Sequence, residues 1–179
     1  QTLQGSTIML HDIDADRLEK TRKISESYKR ILELDFNIQA TTDRKIALEK
    51  ATFCIISIEV GSRFDLWDQD WQIPLKYGFK QVFGENGGPG GLFHSLRVTQ
   101  PIVEIADDIN KICPEAFVFN FSNPMQWVCQ TITTKYPNMK FTGLCHEIAS
   151  IERHLPKIME TNFENIEYRA AGLNHFSIQ

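Results

Sequence analysis

The stretch Thr7-Ile-Met-Leu-His-Asp-Ile-Asp-Ala-Asp-Arg-Leu18 passes from a short β-rich run straight into a helical start. Thr7 to Leu10 reads as a strand, because β-branched and long apolar residues suit a pleated, half-buried surface. Asp14 stands where a helix wants its N-cap, and Leu18, Ile24, Tyr28, Ile31 and Leu32 then recur at helical spacing between charged residues. The same alternation continues outward. Asn37–Ala40 reads as a short strand, Thr42 or Asp43 caps a helix carrying Ile46, Ala47 and Ala51, and Phe53–Ile58 is a continuous apolar run, expected as a strand covered on both faces. A long irregular stretch is expected from Glu59 to about Gly91, holding Pro74 and the glycine-dense Gly84–Gly91; loops of this length are often functional. Helical spacing resumes over Pro101–Ile112. Further strands are expected at Phe117–Asn120, Met139–Leu144 and Tyr168–Leu173, with helices opening at Asn123-Pro124 and running on from Cys145-His146 through Ile158. Strand–helix alternation of this kind predicts a doubly wound, mostly parallel α/β sheet with helices on both faces. In such sheets ligands bind beyond the carboxyl ends of the strands.

The chain has 179 residues, enough for one good-sized domain and too few for two full ones. Lys plus Arg number 19 against 23 Asp plus Glu, a net charge of −4 with a pI near 5.7, and no basic run exists, so nucleic-acid binding lacks an electrostatic footing. No apolar run approaches the roughly 18 residues of a membrane-spanning helix. The cysteines Cys54, Cys113, Cys129 and Cys145 form no Cys-x-x-Cys pair. At this density a disulfide framework is not expected, and Cys54, inside its apolar run, reads as a buried thiol in a reducing compartment.

Asp12, Asn123, Cys145, His146 and His175 each follow an expected strand. An acid after a strand of a dinucleotide fold accepts hydrogen bonds from the ribose hydroxyls of NAD; the other reading of Asp12 is a helix cap. No glycine-rich phosphate turn precedes it within the chain. Gly84–Gly91 has no Gly-Lys-Ser/Thr and is no Walker loop; its glycines serve either close approach to a ligand or a surface loop, with Glu85 its chemically interesting member. Neighbouring strand ends would bring the Cys145 thiolate and the His175 imidazole onto one divalent metal, leaving positions open for water or substrate; the alternative is a buried cysteine and an unrelated histidine. His146 either exchanges a proton beside that metal or faces solvent in a first helical turn. Trp67, Trp71 and Trp127 read as packing.

Six segments together resemble the NAD- and metal-dependent glycoside hydrolases of family 4: Gly5–Leu18, Ile73-Pro-Leu-Lys-Tyr-Gly78, Gly88-Pro-Gly-Gly91, Asn120-Phe-Ser-Asn-Pro124, Gly143-Leu-Cys-His-Glu147 and Gly172-Leu-Asn-His-Phe176. They occur in the family's order from end to end. The resemblance implies a Rossmann-like fold of the lactate/malate dehydrogenase superfamily. Residues 1–179 would form most of the NAD-binding domain, with the first strand and its phosphate turn before Gln1 and the catalytic tyrosine and second domain after Gln179. It implies that Asp12 holds the adenosine ribose, Asn123 the sugar, and Cys145 with His175 the metal, manganese. Glu85 takes the position that tunes the tyrosine base, and His146 the position where phospho-sugar members carry an Asp acid. The implied chemistry is oxidation of the sugar at C3 by NAD, loss of the C2 proton and the glycosidic oxygen by elimination, water addition and re-reduction. Cys-His-Glu resembles the branch acting on unphosphorylated α-glycosides, galacturonides in particular, with α-glucosides and α-galactosides as the other candidates, and no Arg precedes Ile73-Pro74 to hold a phosphate. A cytoplasmic homo-oligomer, dimer or tetramer, without membrane or nucleic-acid partners, is expected. The competing reading is an NAD-dependent 2-hydroxy-acid dehydrogenase of the lactate/malate type, which would share Asp12 and Asn123 but need no metal. A third is that this stretch alone, lacking the phosphate turn, binds NAD poorly.

Overall fold

A computed structural model of the chain describes residues 3–81, 84–169, 171–173 and 176–178, with side chains outside 147–149 and 171–178. Strand β1 (Thr7–His11) lies parallel to β2 (Asn37–Thr41), in register from Thr7↔Asn37 to His11↔Thr41. Parallel neighbours need a crossover, and helix α1 (Ala15–Ile31) supplies it. Asp14 caps α1: its Oδ1 accepts from the Asp16 and Arg17 backbone N–H groups at 3.0 and 3.1 Å, meeting two donors the first turn leaves orphaned. The Arg17 backbone bond is the main cause that holds the Asp14 carboxyl below its ordinary range. Asp43, one of the two expected caps, does the same for α2 (Arg44–Leu48). Leu18 is the buried residue of α1, while Ile24, Tyr28 and Ile31 of the expected apolar stripe are exposed.

These elements, with residues 107–116, make one compact unit; residues 53–106 and 117–179 make a second. In the second, β3 (Phe53–Ile56), β4 (Phe117–Asn120) and β5 (Lys140–Gly143) form a parallel sheet in that order. The expectation that the Phe53 run is covered on both faces is corrected: Cys54 and Ile56 are buried, but Phe53 is 65% and Ile55 71% exposed. Phe53 stacks on Phe117 across the strands, at 5.8 Å between ring centroids, so cross-strand contact rather than a covering layer occupies that face.

The expected irregular stretch from Glu59 to Gly91 is also corrected. It contains helix α3 (Arg63–Lys76), and α4 (Gly88–Ile112) begins well before Pro101. Pro74 has no N–H to give the Asp70 carbonyl, and Gln81 Nε2 donates to that oxygen instead, at 2.9 Å. Asp70 is only 3% exposed and is met in two-pronged fashion by Arg97 of α4, Nη1 on Oδ1 at 3.0 Å and Nη2 on Oδ2. Along α4 the buried positions Gly91, His94, Ser95, Val98, Ile102 and Ala106 recur at three and four residues, the stripe that faces a core.

Gly88-Pro-Gly-Gly91 is therefore a helix start and not a loop. Gly88 has φ +67°. A Cβ on Gly90 would lie 2.6 Å from Gln81 Nε2 and 2.7 Å from the Asp70 carbonyl oxygen, so glycine here lets α4 close on α3. Gly90→Ala should destabilise by about 1–3 kcal/mol, as overpacking does. Urea unfolding measures it, and an unchanged midpoint would remove the close-approach argument.

Helices α5 (Met125–Lys135) and α6 (His146–Ile158) follow β4 and β5. The last expected strand is shorter than its apolar run. Among the described residues, β6 (Ala171–Leu173) pairs antiparallel with β7 (Phe176–Ile178) and with no strand of the parallel sheet. Leu173 pairs with Phe176 in that ladder. Asn174 and His175 lie outside the described residues.

Candidate active site

Register decides which side chains meet. Ile56, Asn120 and Gly143 are partners across β3, β4 and β5, so the three strands end level. Glu59, Asn123 and His146 each stand three residues beyond that line, on one edge of the sheet. The loops leaving this edge are held firmly. Ser122 Oγ donates to the Ile58 carbonyl at 2.9 Å and accepts from the Ile58 N–H at 2.7 Å. Fully buried Asn120 donates to the Ser122 carbonyl at 2.9 Å, and Leu144 N–H bonds the Asn120 carbonyl at 2.9 Å, carrying the β4–β5 ladder one residue further, up to Cys145.

Glu85, from the segment between α3 and α4, is only 8% exposed. Asn123 Nδ2 donates to its Oε1 at 2.7 Å, which joins two of the expected site residues directly. Arg63, the first residue of α3, donates from Nη2 to both Glu85 oxygens at 3.0 Å. Its Nε lies 3.8 Å from Glu59 Oε2, and its guanidinium carbon 5.2 Å from the centroid of the Trp67 ring. His94 of α4 is 4% exposed, with Nε2 3.7 Å from Glu59 Oε1 and without a hydrogen-bond partner. Gln126 Nε2 donates to the Asn86 carbonyl at 3.2 Å, a second tie between the Glu85 segment and the start of α5.

Cys145 follows β5, partly buried and not disulfide-bonded, and exposed His146 opens α6. Asp12 follows β1 in the first unit and accepts from the Asp14 N–H at 2.9 Å; the cap of α1 is Asp14 itself. His175 lies outside the described residues. Trp67, expected as packing, has its ring facing the Arg63 guanidinium. Arg63, Glu59 and His94 escape a reading by sequence. Their one local signal is an acid and a base four apart, Glu59 and Arg63, directly after β3, and that spacing also occurs on ordinary helix surfaces.

Glu59, Glu85 and His94 can each offer a ligand atom, all within 4.8 Å of one another. The Arg63 guanidinium, however, already lies against both carboxylates. What the arrangement offers chemically is a buried, charge-paired carboxylate beside an amide at the sheet's carboxyl edge, with a thiol and an imidazole on the next strand's exit.

Comparison with known proteins gives consistent findings. The model of the family 4 glycosyl hydrolases matches residues 1–161. The chain is 54% identical over 178 residues to an alpha-glucosidase of Erwinia rhapontici, and 36% identical over 183 residues to an alpha-galacturonidase of Thermoanaerobacter italicus, covering 99% of this chain in both cases. It spans 39% of the length of each of these relatives. A crystal structure of a 6-phospho-alpha-glucosidase from gut microorganisms, in complex with NAD and Mn2+, superposes on 96% of the chain and 39% of its own with a TM-score of 0.83 at 23% identity. A likeness of that size, together with the parallel sheets and their crossover helices, shows a Rossmann-like α/β fold.

Proposed function

Because the chain belongs to the family 4 glycosyl hydrolases, we propose that the full-length protein hydrolyses the O-glycosidic bond of an unphosphorylated α-glycoside, an α-glucoside first. α-Galactosides and α-galacturonides are the comparison substrates. The observation that carries this reading is the 2.7 Å bond from Asn123 to Glu85, which joins a sugar-binding amide to a buried carboxylate at the carboxyl edge of a parallel sheet. The 54% identity to an alpha-glucosidase supports the choice of sugar.

NAD and Mn²⁺ are the cofactors of this reading. When bound, they supply a hydride acceptor for C3 of the sugar and a Lewis acid for the C3 oxygen. Asp12 suits the ribose, since a carboxylate only accepts, and its one bond from the Asp14 N–H leaves lone pairs for hydroxyl donors. Cys145 suits a metal, because it carries a partly buried thiol outside any disulfide at a strand exit; His175 is its partner ligand. Asn123 uses its N–H on Glu85, so its amide oxygen accepts from a sugar hydroxyl. Glu85, anchored by Arg63, fixes a negative charge beside the base that removes the C2 proton. His146, exposed in the first turn of α6, hands a proton to the departing oxygen.

In this reading residues 1–179 belong to the NAD-binding domain, and the protein works as a cytoplasmic homo-oligomer without nucleic-acid or membrane partners. Among the described residues, no helix is long and apolar enough to cross a membrane. The test is isotopic. Hydrolysis of an aryl α-glucoside by the full-length protein in D₂O should give glucose carrying deuterium at C2, since that proton exchanges with solvent before water adds. Glucose that keeps its original hydrogen at C2 throughout would overturn the proposal.

A further inference from the structure

Among the described residues Glu85 is anchored twice, and the proposed reaction uses only one of the anchors. Asn123 is assigned to the sugar. Among the described residues Arg63 touches no assigned group other than Glu85, yet it meets both Glu85 oxygens at 3.0 Å. A single donor on one oxygen leaves a carboxylate free to turn about its last bond. A cation spanning both oxygens removes that freedom and gives Oε1 a fixed place for the Asn123 amide.

Arg63 is itself constrained from three sides. Nη2 is taken by Glu85, Nε faces Glu59 at 3.8 Å, and the guanidinium lies 5.2 Å from the centroid of the Trp67 ring, the arrangement in which an aromatic quadrupole attracts a cation. Glu59 in turn has buried His94 at its far oxygen, 3.7 Å from Nε2. We propose that Arg63 is a positioning residue for the glycosidase reaction: it sets the Glu85 carboxylate against Asn123, and Glu59, backed by His94, holds Arg63 in that pose. The inference rests on the proposed function and deepens it by naming what orients Glu85.

The same three groups, Glu59, Glu85 and His94, also have the composition of a cation site, and His94 Nε2 is buried and unpaired. A divalent ion there would have to displace the guanidinium from both Glu85 oxygens and would stand against its positive charge. One cation already does the neutralising, so the positioning role is the one the geometry favours.

The experiment uses full-length protein, an aryl α-glucoside, and saturating NAD⁺ and Mn²⁺. Arg63→Ala should lower kcat about 10²-fold, the loss expected when a working group sits about 1 Å out of place. KM should stay within about threefold, and so should NAD⁺ and Mn²⁺ affinity, with the orientation term alone removed. Millimolar methylguanidinium, far below denaturing levels, should restore part of kcat to Arg63→Ala and none to Glu85→Gln. Arg63→Lys, which keeps the charge without the planar guanidinium, should fall between. Glu59→Gln should cost about three- to tenfold in kcat and keep methylguanidinium without effect, because Arg63 is still present. An Arg63→Ala protein with unchanged kcat, or one whose loss follows a fall in Tm and is not rescued, overturns the proposal. If Arg63→Ala does not fold, Arg63→Lys and Glu59→Gln decide it, and full activity in both overturns it. A divalent ion retained by Cys145→Ser protein and lost on His94→Gln also overturns it in favour of a second metal site. Should wild-type protein show no NAD-dependent turnover at all, it is the proposed function that fails; an active wild type with an indifferent Arg63 sinks this inference alone.

Discussion

Full-length protein stripped of NAD⁺ is expected to cleave an aryl α-glucoside no faster than the uncatalysed background, and added NAD⁺ is expected to restore turnover without net formation of NADH. The expectation has to survive a specific rival. Ordinary glycosidases use two carboxyl groups, and the retaining ones hold them about 5–5.5 Å apart. Glu59 and Glu85 offer oxygens within 4.8 Å, close to that separation. If they were such a pair, cleavage would need no cofactor. The chemistry of the pair argues otherwise. A retaining site needs one carboxyl protonated as an acid and the other bare as a nucleophile, a difference set by unequal environments. Arg63 instead lies against both, 3.0 Å from Glu85 Oε2 and 3.8 Å from Glu59 Oε2, so the same cation faces each carboxylate. Glu85 is further engaged by Asn123 and is buried, so it has no open side for attack on an anomeric carbon. In the proposed reading the bond is broken by making C2 acidic through oxidation at C3. In the proposed reading NAD would be regenerated in every cycle, so NADH should not accumulate; steady accumulation with a hydroxy acid is the mark of the dehydrogenase reading. The measurement is initial rate against NAD⁺ concentration after exhaustive dialysis. Undiminished cleavage at zero NAD⁺ would restore the two-carboxylate reading and end the oxidative one.

Local chemistry carried the legible part of the fold. Asp14 and Asp43 announce their helices because a short acceptor side chain meets orphan N–H groups within three residues of itself. Pro124 opens α5 for an equally local reason. Helix α3 was hidden because its buried face is written in unusual residues. Asp70 and Pro74 are buried at helical spacing, and Asp70 becomes an interior residue only when Arg97, far along the chain, is brought to it. The Phe53 run misled in the opposite direction. Apolar residues in succession imply two covered faces, but a ring stacked on Phe117 is a contact between strands that no single-strand pattern reveals. The partner of β6 was equally unreadable, since Ala171–Leu173 would suit a parallel or an antiparallel neighbour. In the site, residues that follow strands were visible as a class, because a parallel sheet delivers its strand exits to one edge. Their joining was not: Glu85 and Asn123 meet across 38 residues, and Arg63 reaches Glu85 across 22. Such pairs leave no mark on a local pattern.

The second large effect concerns Cys145. Cys145→Ser in the full-length protein should lower Mn²⁺-dependent turnover by about 10³-fold, which corresponds to roughly 4 kcal/mol of lost transition-state stabilisation, within the range of Lewis-acid polarisation. The substitution is nearly isosteric, so it isolates the ligand. Leu144 N–H bonds the Asn120 carbonyl at 2.9 Å, which pins the backbone immediately before Cys145 to the β4–β5 ladder. That backbone bond does not depend on the side chain and should survive the change. What differs is acidity. A thiol is far more acidic than a hydroxyl, so a bound cation would deprotonate it readily, whereas a serine hydroxyl stays neutral and is a poor charge donor. The soft thiolate is nonetheless mismatched to a hard ion such as Mn²⁺, so affinity should be moderate and excess Mn²⁺ should recover a little of the mutant's rate through the remaining ligands. The same mismatch predicts that peroxide inactivates wild-type protein and that thiol reductant reverses the loss while oxidation stops at sulfenic acid or a disulfide. Titration of Mn²⁺ by calorimetry, with NAD⁺ present, separates binding from catalysis. If Cys145→Ser binds Mn²⁺ as wild type does and turns over at the wild-type rate, Cys145 is no ligand, and the metal must be sought among other groups of the chain.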